Sequence, residues 1–230
     1  MSNIKQQLAS GVFYTAVAKY TGVLVSIVIT GILSRLLTAE EYGTIIPVVV
    51  LINFFTIFGD IGIGPAIIQN KDLSGREINS LFSFTILMGI VLSGLFFCGS
   101  WLIARVYESD ILVVLCQLLS ISLFFSCANV VTNALLYKAK LFKYLAIRSL
   151  IAQVVAGLIS IVAAYCGAGI YALVIQSILS CVFLFLVSYI KNPLKLCFKD
   201  FEWSALKKIR HFSSYQFLFD ILNSSFLHLF

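Results

Sequence analysis

The sequence predicts an all-α, polytopic integral membrane helix bundle with six complete transmembrane helices and a truncated seventh. Three observations carry that prediction. Of 230 residues, 60% are hydrophobic and only 11% charged, whereas a soluble globule runs at roughly 45–50% apolar and about 25% charged. Long apolar runs follow one another with short polar connections, and Lys and Arg collect in alternate connections. Mean hydropathy is +1.03, and twenty Phe and ten Tyr exceed what so few charges could cover on a water-soluble sphere. Disorder, a coiled coil and a collagen-like chain are excluded by the same composition. The net charge of +6 does not point to nucleic acid, because the basic residues lie between apolar runs rather than on one face. Membrane lipid is the expected surroundings.

A hydrocarbon core about 30 Å thick needs roughly 20 mostly apolar residues per helix. Six runs reach that length: Gly11 to Leu33, Gly43 to Ile68, Ser80 to Ile103, Ile111 to Leu136, Leu145 to Cys166, and Gly169 to Ile190. A seventh begins near Phe212 and reaches the terminus at Phe230. The expected organisation is a six-helix lobe over 1–190, a basic amphipathic cytoplasmic linker over 191–211 anchored at the interface by Trp203, and the start of a seventh span over 212–230. A cleavable signal peptide is not expected: Ala16-Val17-Ala18 has the form of a cleavage site, but only about five apolar residues precede it where 7–15 are required.

Orientation follows from the charges. Lys5, Lys71, Arg76, Lys138, Lys140, Lys143, Arg148, Lys191, Lys195, Lys199, Lys207, Lys208 and Arg210 fall on one side, and only Arg35 and Arg105 on the other. Basic residues are retained on the cytoplasmic side, so the N-terminus and the even-numbered loops are expected in the cytoplasm.

Polar residues inside the runs are patterned at helical spacing. In the first, Gly11, Thr15, Ala18, Lys19, Gly22, Ser26 and Thr30 form one stripe, with Phe13, Leu24 and Val28 opposite. The second run aligns Asn53, Thr56, Asp60 and Gly64; the fourth Ser122, Ser126, Asn129 and Asn133; the fifth Ser149, Gln153, Ala156, Gly157 and Ser160. Small and hydroxyl residues let membrane helices approach closely, so these stripes read either as packing faces or as the lining of a polar cavity. Asn and Gln belong in the bundle interior or against water under both readings.

Lys19 is the most informative residue, because a basic group deep in a span costs about 2.5–3.5 kcal/mol on insertion scales unless it meets a partner or a wet cavity. Asp60 precedes Ile61-Gly62-Ile63-Gly64-Pro65, a string that loosens or breaks a helix and places Asp60 at a helix end. Three readings are open: a structural Lys19–Asp60 pair, a cavity in which Lys19 and Arg148 meet an anionic group, or a proton or ion relay through Asp60. More cationic and amide donors than carboxylates lie on the stripes, which favours the anion.

No HExxH, GxSxG, GxGxxG or P-loop is present, and the loops are too short for a catalytic domain, so no enzyme and no cofactor is expected. His211 and His228 match no ligand spacing. Asp72, Glu77, Glu108 and Asp110 read as solvated loop charges. The six cysteines, Cys98, Cys116, Cys127, Cys166, Cys181 and Cys197, include no CxxC pair, and five lie in apolar runs; they read as small buried hydrophobes, with no metal site.

Four strings then carry a resemblance. Ser34 to Gly43, SRLLTAEEYG, resembles an S-R-x-L-[TS]-P-E-E-[YF]-G signature between the first two helices of polysaccharide flippases, with Ala39 in place of Pro. Asp60 to Gln69, DIGIGPAIIQ, resembles their D-x-G-[LI]-x-x-A-[LI]-[IV]-[QR] string. Leu136 to Phe142, LYKAKLF, is similar to their L-x-[RK]-x-[LM]-x-F cytoplasmic loop, with Lys140 in place of Leu or Met. Gly167 to Val174, GAGIYALV, resembles their G-x-G-[VI]-[WY]-A-L-V turn. The order and spacing run from about residue 5 to 220. The chain thus resembles the N-terminal portion of the lipopolysaccharide, exopolysaccharide and O-antigen flippases of the multidrug/oligosaccharidyl-lipid/polysaccharide exporter superfamily.

That resemblance implies a bacterial inner-membrane transporter that flips undecaprenyl-pyrophosphate-linked oligosaccharide, with other polysaccharide-assembly proteins as partners. It implies two helical lobes around a central cavity, of which this chain holds the first. Lys19 and Arg148 would attract the pyrophosphate, and Asn53, Asn129, Asn133 and Gln153 would bond sugar hydroxyls beside Asp60. Arg35, Glu40 and Glu41 would sit at the outer rim, either as a gate or as a plain connecting turn. The alternatives are an ion-coupled small-molecule exporter of the same superfamily and a membrane-embedded transferase acting on a polyprenyl lipid.

Overall fold

The structure is a computed structural model that describes residues 2–60, 62–70 and 72–196. The expected seventh span, most of the basic linker with Trp203, and both histidines lie outside those residues. The described chain is helical throughout: α1 (Ser2–Leu36), α2 (Ala39–Asp60), α3 (Ile63–Gln69), α4 (Gly75–Val106), α5 (Ile111–Lys138), α6 (Phe142–Tyr165) and α7 (Tyr171–Lys191). Six spans are long and apolar enough to cross a membrane, with α2 and α3 together forming the second. The chain is a multi-pass membrane protein.

Each helix stops for a local reason. Between α1 and α2, Thr38 and Glu41 form a reciprocal cap: Glu41 Oε2 accepts from the Thr38 amide at 2.8 Å, and Thr38 Oγ1 accepts from the Glu41 amide at 3.3 Å. Two amides that the first turn leaves unpaired are thereby satisfied. Gly62, at φ 69°, separates α2 from α3 in a conformation that side chains with a Cβ resist. Pro65 falls in the first turn of α3, where its missing donor is not needed. Ser74 and Glu77 make a second reciprocal cap at the start of α4, with bonds of 2.8 and 3.2 Å. Glu77 is therefore buried, not a solvated loop charge, because its carboxylate is spent on the Ser74 backbone. Lys138 Nζ donates to Asn70 O at 2.7 Å and ties the α3–α4 turn to the end of α5.

Helix α5 is the centre of the bundle, with half of its membrane-length stretch (50%) buried against 17% for α1. It packs on α4, α7, α2 and α3, but only lightly on α6. Phe96, Leu115, Leu119 and Leu123 fill the core at the α1–α2 end, and Ile63, Ile67, Leu81 and Phe82 fill it at the opposite, basic end. Lipid tails are as apolar as these side chains, so close backbone approach and dispersion hold the helices together rather than water exclusion. Gly59 shows how tight the fit is: a Cβ there would collide with Cys127 Sγ.

The arrangement of α1 positions the site. Among the described residues α1 packs substantially on α6 alone, while α2 and α3 lie on α5. Helices α1 and α2 are consecutive in sequence but make little contact, so a groove opens between them, floored by α5.

Candidate functional site: a polar groove over α5

Two adjoining cavities make up the groove. The larger, about 550 Å³, lies among α1, α5 and α6 and is lined by Thr15, Lys19, Gly22, Ser26, Asn129, Asn133, Arg148, Ser149 and Gln153. The smaller, about 330 Å³, lies among α2, α3 and α5 and is lined by Thr56, Asp60, Gly64, Ser126, Asn129 and Asn133. Asn129, Asn133 and Tyr137 border both, so α5 carries a polar seam facing two sides. Both volumes fall in the range of small-molecule sites. Val23, Leu145 and Leu184 supply apolar wall.

The polar stripes divide by depth. On α1, the residues from Thr15 to Ser26 line the groove, while Thr30 is exposed outside it. On α6, Ser149 and Gln153 face the groove, but the same stripe becomes a packing face one turn on. A Cβ at Gly157 would collide with Ile29 Cδ1, and Ser160 Oγ donates to Ala172 O at 2.7 Å. On α5, Ser126, Asn129 and Asn133 line the groove, whereas Ser122 is buried and donates to Leu119 O at 2.7 Å. The small residues thus both pack and line, each at its own level.

Lys19 lies eight residues inside the apolar run that begins at Gly11, or about 12 Å along the axis at 1.5 Å per residue. It faces the larger cavity and has no hydrogen-bond or ion-pair partner among the described residues. Asp60 borders the other cavity, and its Oδ1 accepts from the Gly64 amide at 2.9 Å. No Lys19–Asp60 ion pair is present among the described residues; the two charges sit on opposite sides of the α5 seam.

Arg148 is 6% exposed. Its Nη1 donates to Ser188 Oγ and its Nη2 to Asn133 Oδ1, so one guanidinium links α6 to both α7 and α5. Nothing in the sequence had singled out Ser188. The available signal was a hydroxyl at the end of an apolar run, and that marks many packing positions as well. Gln153 Nε2 donates to Gly22 O at 2.9 Å and fastens α6 to α1 at the groove wall. Asn53 is exposed on α2 and borders neither cavity.

At the far end, Arg35 and Glu40 are exposed. Glu41 caps α2, as described above, and its other carboxylate oxygen lies against Gly169. Gly169 has φ 54°, so the α6–α7 turn can lie close to the α1–α2 turn only with glycine there. Among the described residues no group of three or more His, Cys, Asp or Glu could hold a metal ion.

The resulting site is an open polar trough with cationic and amide groups on one wall and a carboxylate on the other, set in an apolar bundle. A family model described as "Polysaccharide biosynthesis protein" matches residues 32–229. The chain belongs to that family. Within this polysaccharide biosynthesis family, it is 29% identical over 121 residues to the teichuronic acid biosynthesis protein TuaB of Bacillus subtilis (strain 168), covering 53% of this chain and 25% of that protein. It is 27% identical over 120 residues to the lipopolysaccharide biosynthesis protein WzxC of Escherichia coli (strain K12), covering 52% of this chain and 24% of that one. The matched stretch spans about a quarter of each relative's length. No solved structure matches the chain.

Proposed function

We propose that this chain forms the N-terminal lobe of a polysaccharide flippase, which moves an undecaprenyl-pyrophosphate-linked oligosaccharide from the cytoplasmic to the outer leaflet of the bacterial inner membrane. The observation that carries this reading is the polar groove, with Lys19 on its wall and unpaired among the described residues, in a bundle whose outer faces are apolar. Taking a pyrophosphate and several sugars through about 30 Å of hydrocarbon unaided is prohibitive. A trough lined with amides, hydroxyls and a cation removes most of that desolvation penalty while the prenyl chain stays in lipid. The family match and the two relatives, named for teichuronic acid and lipopolysaccharide biosynthesis, support polysaccharide as the cargo.

In this reading Lys19 attracts the pyrophosphate, and Asn129, Asn133 and Gln153 bond the polar head beside it. A second bundle would close the trough, and rocking of the two would expose it to alternate sides. In this reading the N-terminus lies in the cytoplasm, which the thirteen-to-two distribution of Lys and Arg supports.

The test is glycan export in cells carrying the whole protein. Lys19→Ala is expected to cut export at least tenfold at unchanged membrane abundance, and Lys19→Arg to retain most of it. Normal export by Lys19→Asp would remove anion attraction from the mechanism.

A further inference from the structure

We propose that Arg148 is a positioning residue: it fixes the Asn133 amide with its NH2 toward the groove, so that α5 offers hydrogen-bond donors to the same anionic group that Lys19 attracts. This rests on the proposed groove function and deepens it by assigning how the floor recognises its ligand.

The argument starts from what each group can do. A guanidinium has five N–H donors and no acceptor. Asn133 therefore has to meet Arg148 through its carbonyl oxygen, and the structure shows Nη2 donating to Asn133 Oδ1. The amide plane then directs Nδ2 away from Arg148. Asn133 Nδ2 has no hydrogen-bond partner among the described residues, yet it is not one of their buried unpartnered polar atoms. It is therefore open to the cavities that Asn133 borders.

Asn129, one turn earlier, is not fixed in this way. Thr132 Oγ1 has a single proton, with Asn129 O at 3.0 Å and Asn129 Oδ1 at 3.1 Å, and a hydroxyl also accepts, so either end of that amide can face it. The floor thus shows one NH2 group, that of Asn133, whose oxygen is occupied by an obligate donor. An asparagine free to rotate offers oxygen and nitrogen equally; Asn133 is set as a donor. Such a floor favours a group rich in acceptors and poor in donors, as a pyrophosphate is, over a neutral hydroxyl.

Arg148 borders the same cavity, but its end donors are already engaged. Two arms of its fork are held, by Ser188 on α7 and Asn133 on α5, and the side chain is 6% exposed. Its effect on the ligand passes through the amide it orients, whereas Lys19 has no such restraint.

The experiment titrates inorganic pyrophosphate calorimetrically against the purified whole protein in detergent, beside Lys19→Gln, Asn133→Ala, Arg148→Met and the Asn133→Ala/Arg148→Met double variant, with a thermal melt of each to show that it is folded. Asn133→Ala removes the NH2 without adding charge to the groove. It is expected to bind pyrophosphate about tenfold or more weakly, the worth of a hydrogen bond to a charged group. Arg148→Met is expected to weaken binding similarly, and the double variant no further than the weaker single, because both act through the one Asn133 donor. Additive losses would mean that Arg148 touches the anion directly and would overturn the proposal, as would unchanged binding by Asn133→Ala. Should Arg148→Met fail to fold, Ser188→Ala replaces it. That change frees the guanidinium without removing its charge, and weaker binding that adds nothing to Asn133→Ala is again the expected result. A parent chain that ignores pyrophosphate, or whose binding Lys19→Gln leaves intact, would sink the anion-groove reading itself. Additivity with Lys19 still effective would sink only the positioning role.

Discussion

The Asp60 carboxylate accepts the amide of Gly64 at 2.9 Å while bordering the smaller cavity, so a structural and a ligand-facing role coexist in one side chain. They can be separated, because Asn accepts a hydrogen bond through its oxygen as Asp does. Asp60→Asn is expected to keep α3 in place with a melting loss under about 1 kcal/mol, whereas Asp60→Leu should lose about 0.5–2 kcal/mol with the cap. Thermal melting in detergent measures both. Glu41 shows the same logic at the other end: Glu41→Ala is expected to lower stability by about 1 kcal/mol through its cap on Thr38. Its groove is remote, so pyrophosphate binding by that variant should match the parent. A tenfold loss of binding would show that the outer turn reaches the groove.

At the scale of elements, glycines set how closely helices cross. Gly59 on α2 lies over Cys127 on α5, with no room for a methyl group. Gly59→Ala is expected to destabilise by about 1–3 kcal/mol through overpacking. Cys127→Ala in the same chain should return part of that loss, because it removes the colliding sulfur; melting of the single and double variants measures the coupling. The helices themselves were legible in the sequence, since run length and hydropathy depend on composition alone. So was the α2–α3 break, because Gly62 and Pro65 act locally. The inward stripe from Thr15 to Ser26 was readable from its period. What could not be read was where a stripe changes role. Ser149 and Ser160 share one face of α6, yet Ser149 meets cavity and Ser160 meets the α7 backbone. That difference depends on how far α1 and α5 stand apart, a property of packing that no single helix encodes. Glu77 departs from expectation for the opposite reason: the Ser74–Glu77 spacing of a capping box is present in the sequence, but a carboxylate beside Asp72 and Arg76 fits a solvated loop equally well.

For the whole molecule, the alternation of basic and non-basic turns makes an orientation that can be measured. In a cysteine-free background, Glu108→Cys is expected to react with a membrane-impermeant maleimide from outside intact cells, and Asp72→Cys only after permeabilisation. The reverse pattern would invert the bundle and place the open end of the Lys19 groove on the wrong side for loading from the cytoplasm. The orientation expected from the sequence is a sum over many charges, so no single contact needs to be known to argue it, and the labelling decides it. The Arg148 link among α5, α6 and α7 was not legible in the sequence, because its partners Asn133 and Ser188 lie 15 and 40 residues away in sequence.

The pairing of α1 with α6 also has a consequence for how the protein is made. Helix α1 leaves the ribosome well before α6, the helix that forms the facing wall of its polar stripe and ends only at Tyr165. At about 5–20 residues per second, the stripe waits on the order of ten seconds for its partner to be synthesised. During that interval the Lys19 ammonium faces either lipid or the insertion machinery, and lipid is expensive for it. Nascent chains ending after α5 are therefore expected to stay bound to an insertion factor along α1, and to be released once α6 has emerged.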